Sequence, residues 1–489
     1  MITQTEQIRL EASPKLDRKY KAQLGQFMTP ATVARFMASL FSPSNIQTAF
    51  LLDAGAGVGA LSAAFFDRWM IGEFGFGRVE ATAYEIDEAL ADHLKQTLAV
   101  YTTQLDVNIQ ICNQDFIEDA VTSLQFLLGP RFTHAILNPP YKKINSNSRH
   151  RHLLRQVGIE TVNLYSAFVA LAVALMRPRG QIVAIIPRSF CNGPYYRPFR
   201  KFILDRAAIR HLHLFASRDK AFKDDDVLQE NVIVLLECGG KSDFVTVSTS
   251  TDDHFDDYKA HVYPFDRIVS SDDREKFIHI PTSPENNLIE SSPAFYSSLS
   301  TIGIEVSTGP VVDFRVREHI SDKPVPGSVP LLYPCHFVGQ SIEWPSSRLK
   351  KPNALMLNAT TKKWLFPNGF YTVVRRFSSK EEKRRIVASV VSPHSFDASS
   401  LGFENHLNVF HQEKHGLPEE LARGLSVYLN ATAIDDYFRR FSGHTQVNAT
   451  DLRLLKYPTR DALVKLGRWA KMQETLTQEQ IDKKLEDIS

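Results

Sequence analysis

The chain has 489 residues, 43% of them hydrophobic and 23% charged. That length implies roughly two to four domains, and the composition excludes wholesale disorder, a collagen-like repeat and a disulfide scaffold. The formal net charge of +2 argues against a nonspecific coat for nucleic acid.

The first twenty residues lack the apolar core of a signal peptide. The most apolar run, Leu164 to Met176, is too short to span a bilayer. Cys112, Cys191, Cys238 and Cys335 are scattered without a CxxC, which signals neither zinc nor disulfides. The expectation is a cytoplasmic protein with no membrane and no metal requirement.

From about residue 49 to 240, short β-rich runs alternate with helical stretches. AFLLDAGAG from Ala49 reads as a strand entering a glycine turn, and a helix follows from about Ala60. RVEATAYEID is a second strand, followed by the helix EALADHLKQTLAVY, and VNIQICNQD is a third. THAILNPP is a fourth strand, NLYSAFVALAVALMRP a long helix and GQIVAIIP a fifth strand. GPYYRPFRKFILDRAA is another helix, and IRHLHLF and NVIVLLEC are closing strands, the last suited to antiparallel pairing. This alternation predicts an α/β, Rossmann-like sheet, mainly parallel, with helices on both faces. Residues 241–300, rich in Ser, Thr, Asp and Pro, read as an extension and boundary. Residues 301–489 carry short β-like runs and then helices, which predicts a separate α+β domain. They hold 26 Lys+Arg against 21 Asp+Glu, whereas the first 300 residues hold 31 against 34. The positive excess therefore lies in the C-terminal part.

Asp53-Ala54-Gly55-Ala56-Gly57-Val58-Gly59 sits between an apolar strand and a helix. Glycines allow a sharp turn and close approach of a ligand to the backbone. The position suits the strand-end crevice where doubly wound sheets bind nucleotides. The spacing is not GxGxxG, and an acid opens the motif, so a ligand with an ammonium group fits better than a pyrophosphate. S-adenosylmethionine (SAM) is such a ligand, with Asp53, Gly55 and Gly57 at its side. The second strand ends in Tyr84-Glu85-Ile86-Asp87. Glu85 is placed to accept from ribose hydroxyls and Ile86 to pack on adenine, while Asp87 either helps or caps the next helix. The third strand ends in Asn113-Gln114-Asp115-Phe116, where Asp115 can accept from the adenine amine and Phe116 can stack on its ring. Three acids at three successive strand ends form a stronger signal together than apart.

The fourth strand ends in Asn138-Pro139-Pro140-Tyr141. Two prolines stop sheet pairing and stiffen the turn. That turn presents the Asn138 carboxamide and the Pro139 carbonyl as oriented acceptors beside the Tyr141 ring. Such a corner suits an exocyclic amine whose lone pair is delocalised into a flat ring. Accepting its N–H bonds enriches the nitrogen and orients it for methyl transfer.

With these motifs on the page, the chain resembles the gamma-class, TaqI-like N6-adenine DNA methyltransferases, over about residues 20–240. Gly25-Gln26-Phe27-Met28-Thr29-Pro30 is similar to the family motif ahead of the glycine loop, which implies that Thr29 and Pro30 meet the methionine end of SAM. The resemblance implies a SAM-dependent methyltransferase domain at 49–240, preceded by a helical segment at 1–48. It also implies that the target base is extruded from duplex DNA. Asp219-Lys220-Ala221-Phe222 is similar to the family segment whose aromatic residue packs on that base, a role carried to Phe222. Residues 301–489 have the size of a target-recognition domain. Arg375, Arg376, Lys380, Lys383, Arg384, Arg385, Arg439 and Arg440 supply cations there, and His444, Gln446 and Asn448 supply polar side chains for phosphates or base edges. The stretch from Gly443 to Pro458 looks like a segment of type II modification methylases of the PstI group. Lys142, Lys143, Arg149 and Arg151 follow the catalytic turn and are candidates for flanking phosphates. The implied partners are double-stranded DNA and a restriction endonuclease encoded as a separate chain, since no nuclease constellation or extra N-terminal domain stands out. Cytosine N4, RNA and a protein glutamine are the alternative acceptors, and a non-catalytic DNA-binding subunit is a further one.

Overall fold

A computed structural model describes residues 28–126, 132–216, 230–282, 287–338, 341–346, 351–379 and 381–489. The chain forms two compact units, one ending at residue 284 and the other beginning at 285.

The first unit is built on a nine-stranded sheet. Its strands are β1 (Thr48–Ala54), β2 (Arg78–Tyr84), β3 (Val107–Cys112), β4 (Phe132–Leu137), β5 (Met176–Pro187), β6 (Ala207–Phe215), β7 (Asn231–Cys238), β8 (Phe244–Ser250) and β9 (Lys259–Pro264). Their order is β3-β2-β1-β4-β5-β7-β6-β8-β9. The first five strands in that order pair in parallel, and β7 runs antiparallel to both β5 and β6. NVIVLLEC is thus antiparallel, as its place in the pattern suggests, but it lies inside the sheet.

The helices are α1 (Ala31–Ser39), α2 (Ala60–Met70), α3 (Glu88–Thr102), α4 (Phe116–Phe126), α5 (Arg149–Gln156), α6 (Leu164–Leu175) and α7 (Arg197–Leu204). Successive strand residues enter opposite layers, as the two-residue strand period requires. Leu51, Ile136, Val183 and Ile185 pack with α1, α2 and α3. Leu52, Leu137, Ile182 and Ala184 pack with α4, α6 and α7. The expected three-layer architecture is present.

Two expectations are corrected. Strands β8 and β9 extend the sheet through a stretch that composition marked as an extension, and the boundary falls at 284/285. Val245 and Val247 of β8 are buried, so this Ser/Thr-rich run alternates as a true strand. Helices α4 and α5 were also not anticipated.

The second unit is α+β. One sheet pairs Glu305–Thr308, Leu407–His411, Tyr371–Arg375 and Ala388–Val391 in that order, all antiparallel. A five-stranded sheet runs Ile320–Ser321, Ala354–Met356, Ser328–Leu332, Ser400–Phe403 and Leu365–Pro367. Helices α8 (Glu419–Leu429), α9 (Thr432–Arg439), α10 (Ala449–Arg453), α11 (Arg460–Lys471) and α12 (Gln478–Glu486) follow. Among the described residues no helix is long and apolar enough to cross a membrane, no His/Cys/Asp/Glu group is disposed to hold a metal, and all four cysteines are free.

Candidate active site

In the parallel half of the sheet the strand order reverses between β1 and β4, and crevices open at the carboxyl ends of strands at such a point. A cavity lies there, lined by residues that follow four successive strands: Gly55 and Gly57, Glu85 and Ile86, Asp115 and Phe116, and Asn138 and Pro140. Met28 and Thr29 close it from the chain ahead of α1.

The glycine loop is pinned to its neighbour strand, with the Gly55 and Ala56 amides both donating to the Tyr84 carbonyl at 2.9 Å. Gly59 takes φ +88° as it starts α2, and a Cβ there would sit 2.8 Å from Leu94. The turn therefore requires glycine, and a Cβ would also have to displace the Leu94 side chain of α3. A Cβ on Gly57 would meet nothing within 4 Å, so the loop faces open space.

Asp53 is 1% exposed. Its Oδ2 accepts from Ser62 Oγ at 2.6 Å, while Oδ1 is buried and finds no hydrogen-bond partner among the described residues. Burial pushes its carboxyl up to about 7, against the pull of the Ser62 hydrogen bonds. Asp53 lies behind the glycine loop rather than on the cavity wall. Glu85 does line the cavity. One of its oxygens accepts from the Gly57 amide at 2.8 Å and the other from the Asp87 amide at 2.9 Å. Burial raises its carboxyl above the usual range, against these amide donors. Ile86 is 54% exposed, an apolar surface offered to the cavity. Asp87 is a helix cap, accepting from the Ala89 and Leu90 amides of α3, which resolves the alternative left open by sequence.

Asp115 caps α4 through Oδ1, with Ile117 N at 2.8 Å, and its Oδ2 lies 2.9 Å from His150 Nε2. Burial opposes ionisation of Asp115, but the His150 hydrogen bond and charge together with the Glu118 and Ile117 amides outweigh it and hold the carboxyl below its ordinary range. Phe116 is buried between Tyr84 and Phe168, with ring centroids 5.1 and 5.0 Å away, and reaches the cavity edge.

At the proline corner the Asn138 amide is held from both ends. Nδ2 donates to Thr29 Oγ1 at 3.0 Å, and Oδ1 accepts from the Tyr141 hydroxyl at 3.2 Å. That hydroxyl also lies 3.2 Å from the Ile185 carbonyl of β5. Burial keeps the Tyr141 phenol protonated. The Asn138 carbonyl sits 3.7 Å from the Cβ position of Gly55, so the corner and the glycine loop face each other closely. Asn138 and Pro140 line the cavity; Pro139 is buried and Tyr141 half-buried. Pro30 caps the start of α1 and does not line the cavity. Phe222, Lys380 and Gly25 to Phe27 lie outside the described residues.

The cations sort by burial. Lys142 and Lys143 are exposed, and Lys142 reaches the cavity. Arg149 pairs with Glu118 at 2.9 Å. Arg151 is 8% exposed and bonded to Glu160 and the Thr161 carbonyl, which corrects its assignment to phosphate. Arg385 is likewise corrected. It is 1% exposed, and its guanidinium donates to Ser442 Oγ and the His444 carbonyl. Of the remaining candidates, Arg375 pairs with Glu382 and Arg384 donates to the Ala431 carbonyl. Arg439 pairs with Asp435 and Arg440 with Glu290. Arg376 donates to the Asn405 carbonyl and to Gln446 Oε1, both at 3.2 Å. Asn448 caps α10 in a reciprocal box with Asp451. His444 is half-buried.

Sequence reasoning missed His150 and Phe168 on the cavity wall. Phe168 lay in a run read as a long apolar helix with no site assigned to it. The signal for His150 was the cap Ser148 ahead of Arg149-His150-Arg151-His152.

The profile of the Eco57I restriction-modification methylase family matches residues 47–222. The chain is 55% identical over 487 residues to the type II methyltransferase M.BsuBI of Bacillus subtilis, covering 98% of this chain and 96% of that protein. It is 46% identical over 464 residues to the type II methyltransferase M.PstI of Providencia stuartii, covering 93% and 91% respectively. Two solved structures share the fold at low identity. The DrdV–DNA complex matches at 12% identity and a TM-score of 0.51, over 92% of this chain and 57% of that one. The type IIL restriction-modification enzyme MmeI in complex with DNA matches at 10% and 0.50, over 90% and 68%.

Proposed function

The chain belongs to the type II DNA methyltransferases of restriction-modification systems, the family of M.BsuBI and M.PstI, and on that footing we propose that it methylates the N6 amine of an adenine extruded from duplex DNA, using SAM. In the cell this marks the recognition site against a restriction endonuclease carried on a separate chain, and the work is done in the cytoplasm, where the DNA is. The observation that carries the reading is the Asn138 amide, clamped by Thr29 and Tyr141 at the wall of a cavity that also holds Glu85, Asp115 and Ile86.

The residues present fit the cofactor. The orphaned, buried Asp53 Oδ1 and its raised carboxyl suit a nearby cation. Glu85, buried and fixed by amides, suits ribose hydroxyls, and the exposed face of Ile86 suits a flat base. Thr29, Gly55 and Gly57 give the chain a backbone that a ligand can approach. Bound SAM supplies a methyl group on a positively charged sulfur. The protein's task is to present an amine to it. Asn138 keeps its carboxamide aimed because Thr29 takes its N–H and Tyr141 donates to its oxygen. The second lone pair of that oxygen, with the Pro139 carbonyl, accepts the two N–H bonds of an aniline-like amine. Those bonds favour a pyramidal, electron-rich nitrogen and hold it in line for displacement. No side chain forms a covalent bond in this scheme. Lys142 and Lys143, exposed just past the corner, suit the phosphates beside an extruded nucleotide.

Asn138→Ala and Tyr141→Ala are expected to abolish most turnover while SAM binding survives in calorimetry. Long-read modification mapping of DNA from cells expressing the wild-type chain reads the methylated base and its context directly. N4-methylcytosine in that map would move the acceptor to cytosine. Loss of SAM binding in both variants would contradict the roles of Asn138 and Tyr141.

A further inference from the structure

The chain that leaves the proline corner returns to the cofactor cavity by a closed excursion. Lys143 and Asn163 form an antiparallel bridge. Ile144 N donates to the Val162 carbonyl and Leu164 N to the Lys142 carbonyl, both at 2.8 Å. Residues 144–162 are thus a looped arm tied at its base, and they carry α5. The first turn of α5 lies against the first turn of α4. His150 Nε2 is 2.9 Å from Asp115 Oδ2, and Arg149 Nη2 is 2.9 Å from Glu118 Oε2. At the far end Gln125 donates to Gln156 at 3.1 Å.

Only the first of these pairs belongs to the cavity, since Asp115 and His150 both line it. Their side chains are 25% and 32% exposed, so water screens this pair less than a surface one. With Oδ1 taken by α4 amides and Oδ2 by His150, the Asp115 carboxylate has no rotational freedom left. A carboxylate oxygen has two acceptor sites; Oδ1 has both filled by amides, so Oδ2, with only His150 on it, is the oxygen that still accepts from a ligand.

We propose that His150 is a positioning residue for the cofactor: by fixing Asp115, it makes the site demand an amine on the purine ring. This rests on the SAM reading above. A fixed, desolvated acceptor rejects a ligand that offers another acceptor far more strongly than a mobile one does. The charged groups facing His150 are Asp115 and Glu118 from α4 and Arg149 from its own helix; Glu85 and Lys142 share the cavity wall. The Asp115 hydrogen bond raises the affinity of His150 for its proton against the opposing effect of burial, in keeping with a charge-assisted bond.

The test compares S-adenosylhomocysteine with its 6-oxo (inosine) analogue by calorimetry on the full-length protein. The wild type is expected to prefer the amine by about 100-fold or more. His150→Ala is expected to weaken the amine ligand about tenfold and the oxo ligand far less, so the ratio shrinks. In turnover the loss falls on KM for SAM rather than on kcat. His150→Gln, which keeps an N–H donor without the ring, is expected to regain part of the ratio. Equal losses for both ligands in His150→Ala would reduce His150 to a clasp for α5 and overturn the assignment, leaving the SAM reading intact. A wild type that binds neither ligand would overturn both.

Discussion

Asp53 shows how one residue can be costly to the empty protein and useful to the loaded one. Its carboxyl is pushed up to about 7 by burial from an ordinary 3.8, so the folded chain holds a proton that the unfolded chain has released. Folding therefore weakens as pH rises from 3.8 to about 7, and the cost is constant above that. Asp53→Asn keeps an oxygen for the Ser62 hydroxyl and removes the charge. In the ligand-free protein at pH 8 it is expected to raise Tm, by about 2–4 °C for each kcal/mol recovered, and the gain should vanish near pH 4. Cofactor affinity should fall in the same variant. Calorimetry across that pH range checks both, and an unchanged affinity would remove Asp53 from cofactor binding. Glu85 and Asn138, which line the cavity, were legible in the sequence because each is a polar residue ending an apolar strand. Arg151 and Arg385 were not, because charge in a sequence says nothing of burial. The groups that satisfy Arg385, Ser442 and the His444 carbonyl, lie 57 and 59 residues away.

Among the elements, the crossing of α8 and α11 depends on two glycines. A Cβ on Gly424 would lie 1.8 Å from the Leu463 carbonyl oxygen, and one on Gly467 would lie 1.7 Å from that of Glu420. Alanine is the better helix former by about 1 kcal/mol, but these neighbours are backbone and cannot swing aside. Gly424→Ala and Gly467→Ala are therefore expected to destabilise the second unit by about 1–3 kcal/mol or more, read as a lower denaturant midpoint; a higher midpoint would show that the helices separate freely. Helical propensity misleads here because the constraint is tertiary. The same division separates the elements that were legible from those that were not. Strands β1 to β7 announce themselves by apolar runs or, in β2 and β3, by alternation of apolar and polar residues. Helix α4 has Phe116, Ile117, Ala120 and Val121 buried at helical spacing, a signal present but passed over. Helix α5 buries only Arg151 and Leu154, its eight residues hold just two apolar side chains, and its partners in α4 stand about 31–35 residues away.

At the scale of the whole molecule, chemistry and candidate recognition fall on different units. The cavity walls come from residues 28–168 of the first unit. Arg376 and Gln446, a guanidinium braced by a carboxamide, belong to the second. Contacts to phosphate set affinity for every sequence alike, while contacts to base edges set which sequence is favoured. Lys142→Gln is therefore expected to weaken DNA binding uniformly across sequences and to lower the slope of log K against log salt by about 1. Arg376→Ala should instead relax the methylated motif at one position, at a cost of about 1–3 kcal/mol for the preferred base, with SAM affinity unchanged. Modification mapping combined with binding at several salt concentrations separates the two effects. If Arg376→Ala kept the wild-type motif and shed only salt dependence, its guanidinium would be a phosphate contact.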